Sequence, residues 1–292
     1  MQWLITGCSS GLGLSLARAV LTRPGEKVIA TSRNPSSSPE AVNEIINHDK
    51  AVWETLDVSA PDVEIQLAKI VSKHGAIDVL VNNAGYAAGG VFEVTPLEAL
   101  RQQFETNFFG AVRLMQAVVP GMRTSGKGGV IVNISSNVFW QPLPVISAYS
   151  ASKWALEGFS EAIAGEISPF NIRMIIAEPG GMRTSFLEPS KMSSLNVDLP
   201  ATYRGTIAET LYEMFAAMHG EQALDPERSA RALVKEVLEP TSMKNDETGA
   251  PQNILRLQLG KETVGTMQKK IMTFQTEAEV FQAQAFACDF DA

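Results

Sequence analysis

The residues best suited to chemistry stand four positions apart in the stretch YSASK, which runs from Tyr149 to Lys153. Residues at positions i and i+4 of a helix are neighbours, so the phenol and the ammonium group would lie side by side. An unperturbed tyrosine has a pKa of about 10, and a nearby cation lowers that pKa by favouring the phenolate. The pair would then serve as a tuned general acid or base. The alternative is an ordinary, exposed helix face.

Short β-branched segments that are apolar almost throughout predict strands buried on both faces of a mostly parallel sheet. Longer helical segments separate them, so helices should cover both faces in a doubly wound α/β fold. In such sheets ligands bind beyond the carboxyl ends of the strands. The predicted strands are residues 2–6, 27–32, 51–56, 77–82, 129–135 and 172–178.

Glycines follow the first predicted strand in TGCSSGLG. Gly7, Gly11 and Gly13 would let the backbone turn sharply and approach a pyrophosphate at the start of a helix, although a plain tight turn is the alternative. After the second strand, the acid that holds the ribose hydroxyls in NAD-dependent enzymes is missing. Ser32 and Arg33 stand there instead. A guanidinium suits a ribose phosphate, which favours NADP(H) over a merely solvated arginine.

The other strand ends carry small and polar residues. Asp57 would either accept a hydrogen bond from an adenine amino group or cap a helix near Pro61, with Ser59 as a rival cap. NNAG follows the fourth strand, and Ser136 follows the fifth. EPGGMRT follows the sixth strand and closes at Thr184. These segments meet at one sheet edge in the predicted fold.

Seven motifs in this order resemble those of the short-chain dehydrogenase/reductase family: TGCSSGLG, LDV, NNAG, Asn107 within FETNFFGA, VNISS, YSASK and PGGMRT. The resemblance implies a single Rossmann-fold domain over residues 1–292 with a seven-stranded sheet. Residues 1–185 would bind the cofactor and carry catalysis, and residues 186–225 would form a helical substrate-loop insertion. Residues 226–292 would supply a helix, the last strand and a C-terminal helical extension. ILRLQLG and the helix after it are similar to the 17β-hydroxysteroid-dehydrogenase-like branch.

The resemblance implies hydride transfer between NADP(H) and a carbonyl carbon, with Tyr149 as the general acid or base. Ser136 would hydrogen-bond the substrate oxygen, and Lys153 would also hold the nicotinamide ribose. Asn107 would position a water that relays protons to Lys153. The implied cofactor-binding residues are Gly7, Ser9, Ser10, Gly11, Leu12, Gly13, Ser32, Arg33, Asp57, Val58, Asn83, Ala84, Gly85, Tyr149, Lys153, Pro179, Gly180, Gly181 and Thr184.

Two largely apolar segments are expected to line the substrate pocket: NVFWQPLP and the insertion after Thr184. Such walls suit a bulky apolar or aromatic ketone. Core packing is the alternative for most of these side chains, but Trp140 is expected near the reacting carbon because it stands close to Ser136. The predicted pocket residues are Ser136, Val138, Trp140, Tyr149, Phe186 and Met192.

Composition limits the kinds of partner that the protein is expected to bind. A net charge of −8 disfavours nucleic acid. No apolar run approaches the roughly 20 residues that span a bilayer and no signal peptide is recognised, so we expect a cytoplasmic protein without membrane contact. Two cysteines and three scattered histidines show no metal-ligand spacing. Residues 260–284 predict a helix laid on the body or used as a subunit interface, so a homo-oligomer (dimer or tetramer) stays open.

The leading hypothesis is an NADPH-dependent ketoreductase. One alternative is an enzyme of the same fold that uses the cofactor pocket for epimerisation or templated cyclisation. Another is an NADP(H)-sensing binding protein. The complete set of Asn107, Ser136, Tyr149 and Lys153 argues against both, because neither alternative requires it.

Overall fold

A computed structural model describes residues 1–188, 199–218, 220–244, 251–253 and 255–289. Its main sheet has seven strands, all paired in parallel, in the order β3-β2-β1-β4-β5-β6-β9. An antiparallel pair, β7 and β8, was not predicted. The strands are β1 (Gln2–Ile5), β2 (Lys27–Ser32), β3 (Ala51–Thr55), β4 (Val79–Asn82), β5 (Gly129–Ile134), β6 (Ile172–Pro179), β7 (Ser242–Lys244), β8 (Pro251–Asn253) and β9 (Arg256–Leu259).

Helices cover both faces of the sheet, which confirms the predicted doubly wound α/β fold. One core lies between the sheet and helices α1 and α8, and the other lies between the sheet and helices α3, α5 and α6. The helices are α1 (Gly11–Leu21), α2 (Pro39–Ile46), α3 (Val63–His74), α4 (Leu97–Phe104), α5 (Gly110–Thr124), α6 (Ser147–Ile167), α7 (Ile207–Ala217), α8 (Pro226–Leu238) and α9 (Lys261–Phe286).

The strand order reverses between β1 and β4, which are neighbours at the centre of the sheet. The connections that leave these two strands go to opposite sides, and a crevice opens at their carboxyl ends. The glycine-rich segment follows β1 and NNAG begins at the end of β4, so both line this crevice. The predicted location of the site therefore agrees with the topology.

The C-terminal helix α9 corrects the prediction that this segment lies along the body. Among its described side chains only Thr263 is buried, and every residue from 271 to 289 is exposed. A helix of this length extends about 39 Å at 1.5 Å per residue. Its first turns contact β9 and the turn after Ser136, and the remainder continues beyond the body. No helix in the described part of the chain is both long and apolar enough to cross a membrane.

Candidate active site

The four residues predicted as catalytic are buried together at the carboxyl edge of the sheet. The Lys153 ammonium lies 5.8 Å from the centre of the Tyr149 ring and donates a 2.7 Å hydrogen bond to the Ile134 carbonyl. The Ser136 side chain is close enough to the Tyr149 hydroxyl to lower the pKa of Tyr149. A Cβ placed on Gly85 would lie 3.1 Å from Asn107 Oδ1 and 3.8 Å from Lys153 Nζ, so these two residues flank the same point.

Asn107 owes its position to a break between the two consecutive helices α4 and α5. Five residues between α4 and α5, Glu105–Phe109, form a π-helical turn. Such turns re-aim side chains and often occur at functional sites. Asn107 Nδ2 donates to the Tyr86 carbonyl at 2.9 Å and to Ser152 Oγ at 3.2 Å, while Oδ1 accepts from the Tyr86 N–H at 3.1 Å. The amide is therefore held rigidly beside Lys153.

The expected acidification of Tyr149 is wrong for the protein by itself. Burial raises the pKa of Tyr149 to about 12, and the hydrogen bond with Ser136 opposes that rise only in part. Burial also lowers the pKa of Lys153 to about 8, against the attraction of Glu157. Desolvation disfavours the charged form of each group, and it has the largest effect on each of the two pKa values. The spacing of Tyr149 and Lys153 along α6 predicts that they are neighbours, whereas their burial depends on the packing of α6 against the rest of the fold.

A cluster of charged residues behind Lys153 was missed by the sequence reasoning. Glu157 and Glu178 are both completely buried, and the Arg256 guanidinium lies 3.1 Å from Glu157 Oε2 and 3.5 Å from Glu178 Oε1. The second arm of Arg256 bonds the exposed Glu161 at 2.8 Å. Burial raises the pKa of Glu157, and the neighbouring Glu178 adds to the rise while Arg256 opposes it. One signal was present, because Glu157 follows Lys153 by four residues on the same helix face.

The segments predicted to hold a dinucleotide form a close-packed cradle. A Cβ on Gly13 would lie 2.3 Å from the Gly7 carbonyl oxygen, and Gly7 itself has φ +71°. Asn83 Nδ2 donates to the Thr6 carbonyl at 2.8 Å and ties NNAG to this loop. Helix α1 has no side-chain cap at Ser10 and no acid in its first turn. Its N–H donors and positive end therefore suit a pyrophosphate, as the predicted cofactor requires.

The side chains of Leu12 and Val58 lie in the two apolar cores. Only their backbone N–H and C=O groups could therefore bind a cofactor. The Val58 carbonyl already accepts a 3.3 Å hydrogen bond from Arg113. Ser9 is half-buried in the loop after β1. On the far side of the crevice, Ser185 Oγ donates to Ser10 Oγ at 3.2 Å.

The residues predicted to recognise the adenosine half lie at the ends of β2 and β3. Arg33 is exposed, and its charge acts on Tyr86, whose pKa is raised by burial and lowered in part by Arg33. Ser32 is buried, and its hydroxyl oxygen accepts a 3.1 Å hydrogen bond from the Trp53 indole. Asp57 Oδ1 accepts from the Ser59 N–H at 3.0 Å and from the Ser59 hydroxyl at 2.7 Å.

Asp57 therefore closes the turn that precedes α3 and does not cap the helix. The N-cap position of α3 is occupied by Asp62, so Ser59 is not the cap either. Ala84 follows β4, and its N–H donates a 3.0 Å hydrogen bond to Thr6 Oγ1. This bond attaches NNAG to the glycine-rich segment.

The segment after β6 is attached to the C-terminal part of the chain. Pro179 pairs with Leu259 of β9, and the Gly180 N–H donates to the Leu259 carbonyl at 3.1 Å. The Gly181 carbonyl accepts from the Leu224 N–H at 3.2 Å. Thr184 Oγ1 accepts from the Phe186 N–H at 3.2 Å and caps the following turn. A Cβ on Gly11 would lie 3.3 Å from Thr184 Cβ, so this segment closes against the glycine-rich loop.

Apolar side chains surround Tyr149 on its other side. The Phe186 ring centre lies 5.7 Å from that of Tyr149, and Val138 belongs to the same cluster. Trp140, expected near the reacting carbon, is not among the described apolar side chains of this cluster. Its indole N–H donates to Glu178 at 2.7 Å, because the turn after Ser136 directs it toward β6. Met192 lies outside the described residues. The further members of the cluster are Ala87, Val91, Val145, Ile146, Ala208, Leu211 and Phe215.

No group of three or more His, Cys, Asp or Glu side chains with metal-binding geometry occurs in the described ranges. The buried polar set, the glycine cradle and the apolar cluster lie at the same edge of the sheet, as the predicted dehydrogenase site requires. Each of the three parts comes from a different set of loops at the same edge of the sheet.

The sequence profile of short chain dehydrogenases matches residues 2–193, so the chain belongs to the short-chain dehydrogenase family. Oxidoreductase claN of Passalora fulva is 46% identical over 185 residues, covering 63% of this chain and 83% of that protein. Retinol dehydrogenase 8 of Homo sapiens is 39% identical over 214 residues, covering 72% of this chain and 66% of that protein. The solved structure of a short-chain dehydrogenase from Streptomyces avermitilis has 32% identity and a TM-score of 0.80, covering 99% of this chain and 98% of that one.

The chain is therefore an oxidoreductase of a family that uses a nicotinamide cofactor and acts on CH–OH or C=O groups. The similarity to retinol dehydrogenase 8 is in loose agreement with the 17β-hydroxysteroid-dehydrogenase-like branch. Membership of that branch stays a prediction.

Proposed function

We propose that this protein is an NADPH-dependent ketoreductase, with Tyr149 as general acid, for ketones with a bulky apolar or aromatic body. One observation carries the proposal: Tyr149 belongs both to the polar set and to the apolar cluster. Its hydroxyl is within reach of Ser136, while its ring lies against Phe186. A carbonyl at the hydroxyl would place the rest of the substrate among apolar side chains, which favours such a ketone over a sugar or a charged acid.

The cofactor would be held by the cradle between β1, β4 and the segment after β6. The uncapped start of α1 suits the pyrophosphate, and Arg33 at the end of β2 suits a ribose 2′-phosphate. Asp57 keeps one carboxylate oxygen, Oδ2, for the adenine edge, since Oδ1 is used by Ser59. Lys153 would bond the nicotinamide ribose, and residues 179–184 would bond the carboxamide.

When bound in the cradle, NADPH would supply a hydride to the carbonyl carbon. The carbonyl oxygen accepts the Tyr149 proton, so an alcohol and a phenolate result. Ser136 donates a hydrogen bond to that oxygen as negative charge develops on it. Lys153 stabilises the phenolate, and a proton from solvent restores the phenol. Asn107, held by Tyr86 and Ser152, orients the water through which this proton passes.

The positive charges near Tyr149 would stabilise its phenolate. Tyr149 alone has a pKa of about 12, so its phenolate is costly in the buried site. The Lys153 ammonium and the positive charge of the oxidised nicotinamide both favour that phenolate. A phenol that ionises only with these positive charges in place would keep its proton for the carbonyl oxygen.

Replacement of Tyr149 by phenylalanine tests the reductase hypothesis. NADPH consumption is measured across a panel of bulky aromatic and alicyclic ketones, with NADPH affinity measured in parallel by fluorescence. We expect turnover to fall about 10²- to 10⁴-fold, the usual contribution of a general acid, with NADPH affinity nearly unchanged. Reduction at the wild-type rate by Tyr149→Phe would contradict the proposal. Substrate conversion without net NADPH consumption would instead favour epimerisation or cyclisation.

Replacement of Arg33 by aspartate tests the preference for NADPH. Loss of a charge-assisted contact with the phosphate, together with a new repulsion, should lower the ratio of NADPH to NADH affinity about 10- to 100-fold. Arg23→Asp is the matched control, because it makes the same charge change at a half-buried residue after α1, where Arg23 pairs with Glu239. An unchanged ratio in Arg33→Asp would show that another group binds the phosphate.

A further inference from the structure

The C-terminal helix carries an apolar seam with coiled-coil spacing. Its apolar residues alternate in steps of three and four: Val264, Met267, Ile271, Phe274, Ala278, Phe281 and Ala285, and the next step falls on Cys288 just past the end of the helix. Steps of three and four define the a and d positions of a heptad repeat, the positions that meet a second helix in a coiled coil. We call these residues the α9 seam. The repeat lasts more than three heptads, longer than chance alternation ordinarily lasts.

Most of the α9 seam is uncovered. Ile271 is 41% exposed, Phe274 46% and Phe281 58%, although all three are large apolar residues. Only the beginning of the seam lies near the body, where Met267 is half-buried. A continuous apolar stripe in water is unfavourable by roughly 25 cal/mol for each Å² that could be buried. Such a stripe marks an interaction surface.

The charged and polar residues beside the seam indicate which partner fits it. Lys270 and Glu277 occupy successive g positions, and Gln268 and Gln275 occupy successive e positions. In an antiparallel pair of two identical helices, g faces g and e faces e. One register then places Lys270 opposite Glu277 of the second copy, twice by symmetry. The same register places Gln268 opposite Gln275 of the second copy.

The core residues agree with that register. It places Ile271 opposite Phe274 of the second copy, and Met267 opposite the small Ala278, so large and small side chains alternate across the interface. A parallel pair would instead place Lys270 opposite Gln275, without an ion pair. The Lys270 ammonium lies 4.6 Å from the centre of the Phe274 ring, at the edge of the seam that the partner would contact.

We propose that a second copy of this chain covers the α9 seam, through antiparallel pairing of the two α9 helices about a two-fold axis. Such an interface is self-complementary and closes on itself. A lipid surface is the competing occupant, because Met272, Val280 and Phe286 are exposed outside the seam. Residues 271–289 nevertheless carry three acidic residues and no Lys or Arg, which disfavours an anionic membrane.

The particle mass in solution tests the pairing. Sedimentation velocity and light scattering are run on the full-length protein over a range of concentrations. We expect Phe274→Asp to halve the mass of the wild-type particle, whichever other contacts exist. Met272→Asp is the matched control, because Met272 is 65% exposed on the same helical turn but lies outside the seam. The particle mass of this variant should equal that of the wild type. Retained NADPH binding shows that both variants are folded.

Charge reversal tests the register. Lys270→Glu and Glu277→Lys should each weaken association about tenfold or more, because like charges then meet twice. The double variant should restore wild-type association. Equal masses for wild type and Phe274→Asp at every concentration, or a double variant no better than the single ones, would overturn the proposal. Binding to phosphatidylcholine or phosphatidylserine vesicles that both aspartate variants abolish, with masses unchanged, would also overturn it in favour of a lipid surface.

Discussion

Helices α6 and α9 are both long, and each carries a regular pattern along one face, yet the two are used in opposite ways. On α6, Tyr149, Lys153 and Glu157 recur every four residues and all three are buried. On α9, apolar residues recur every three or four residues and most are exposed. A periodic face therefore predicts a contact along one side of a helix. Whether the contact is the sheet, a ligand or another molecule depends on where the fold places the helix.

The buried polar face of α6 depends on partners from distant parts of the chain. Transfer of charged groups from water to the interior is costly unless they are paired and hydrogen-bonded. Lys153 bonds the end of β5, and Glu157 pairs with Arg256 of β9. Arg256 also lies over the Phe139 ring, at 5.5 Å from its centre. This one guanidinium thus connects α6, the turn after Ser136 and the last strand of the main sheet.

Removal of Arg256 should have the largest effect on stability. Arg256→Leu leaves Glu157 and Glu178 buried without their cation, so we expect a loss of about 3 kcal/mol in the free energy of unfolding. The exposed pair of Arg101 and Glu98 provides the control, since Arg101→Leu should cost less than about 1 kcal/mol. Urea denaturation at pH 8 measures both. Adding Glu157→Gln to Arg256→Leu should recover part of the loss, and a cost for Arg256→Leu no larger than that of the control would refute this role.

The charge of Glu157 should be visible in the pH dependence of catalysis. Lys153 has a pKa of about 8, so kcat/KM for ketone reduction should fall as the ammonium loses its proton above that pH. Glu157 raises the pKa of Lys153. Glu157→Gln should therefore move this alkaline limb to lower pH.

Glu161→Gln is the matched control for the pH profile. Glu161 lies one turn further along α6, is exposed and bonds Arg256 without acting on Lys153. Its alkaline limb should match that of the wild type, in profiles measured from about pH 6 to 10. A limb that moves to higher pH in Glu157→Gln, or that moves equally in both variants, would show that Glu157 does not support the Lys153 charge.

The smallest effect is expected on the exposed part of α9. Phe281→Ser should change the free energy of unfolding by less than about 0.5 kcal/mol, the usual range for exposed positions. Chemical denaturation at protein concentrations too low for association separates this intrinsic stability from pairing. A loss comparable to that of Arg256→Leu would mean that α9 packs on its own body after all.

Sequence alone was sufficient for the first six strands of the main sheet and for the segments that meet at its carboxyl edge. Apolar, β-branched segments predicted the first six strands of the sheet, because a strand buried on both faces must be apolar throughout. The spacing of Tyr149 and Lys153 predicted their proximity, since α-helical geometry makes residues four apart neighbours. The segments after β1, β4, β5 and β6 were placed at one edge, because parallel strands share one direction. These inferences depend on local geometry or on general rules of topology.

Contacts between distant residues were decided only by the tertiary structure. The sequence does not show that Arg256 pairs with both Glu157 and Glu178. It also does not show that Trp140 bonds Glu178 instead of joining the apolar cluster around Tyr149. It also did not show that burial would raise the pKa of Tyr149, or that α9 would extend past the body. Each outcome depends on how much water remains around a side chain. That quantity is a property of the packed assembly of elements, and no single element contains it.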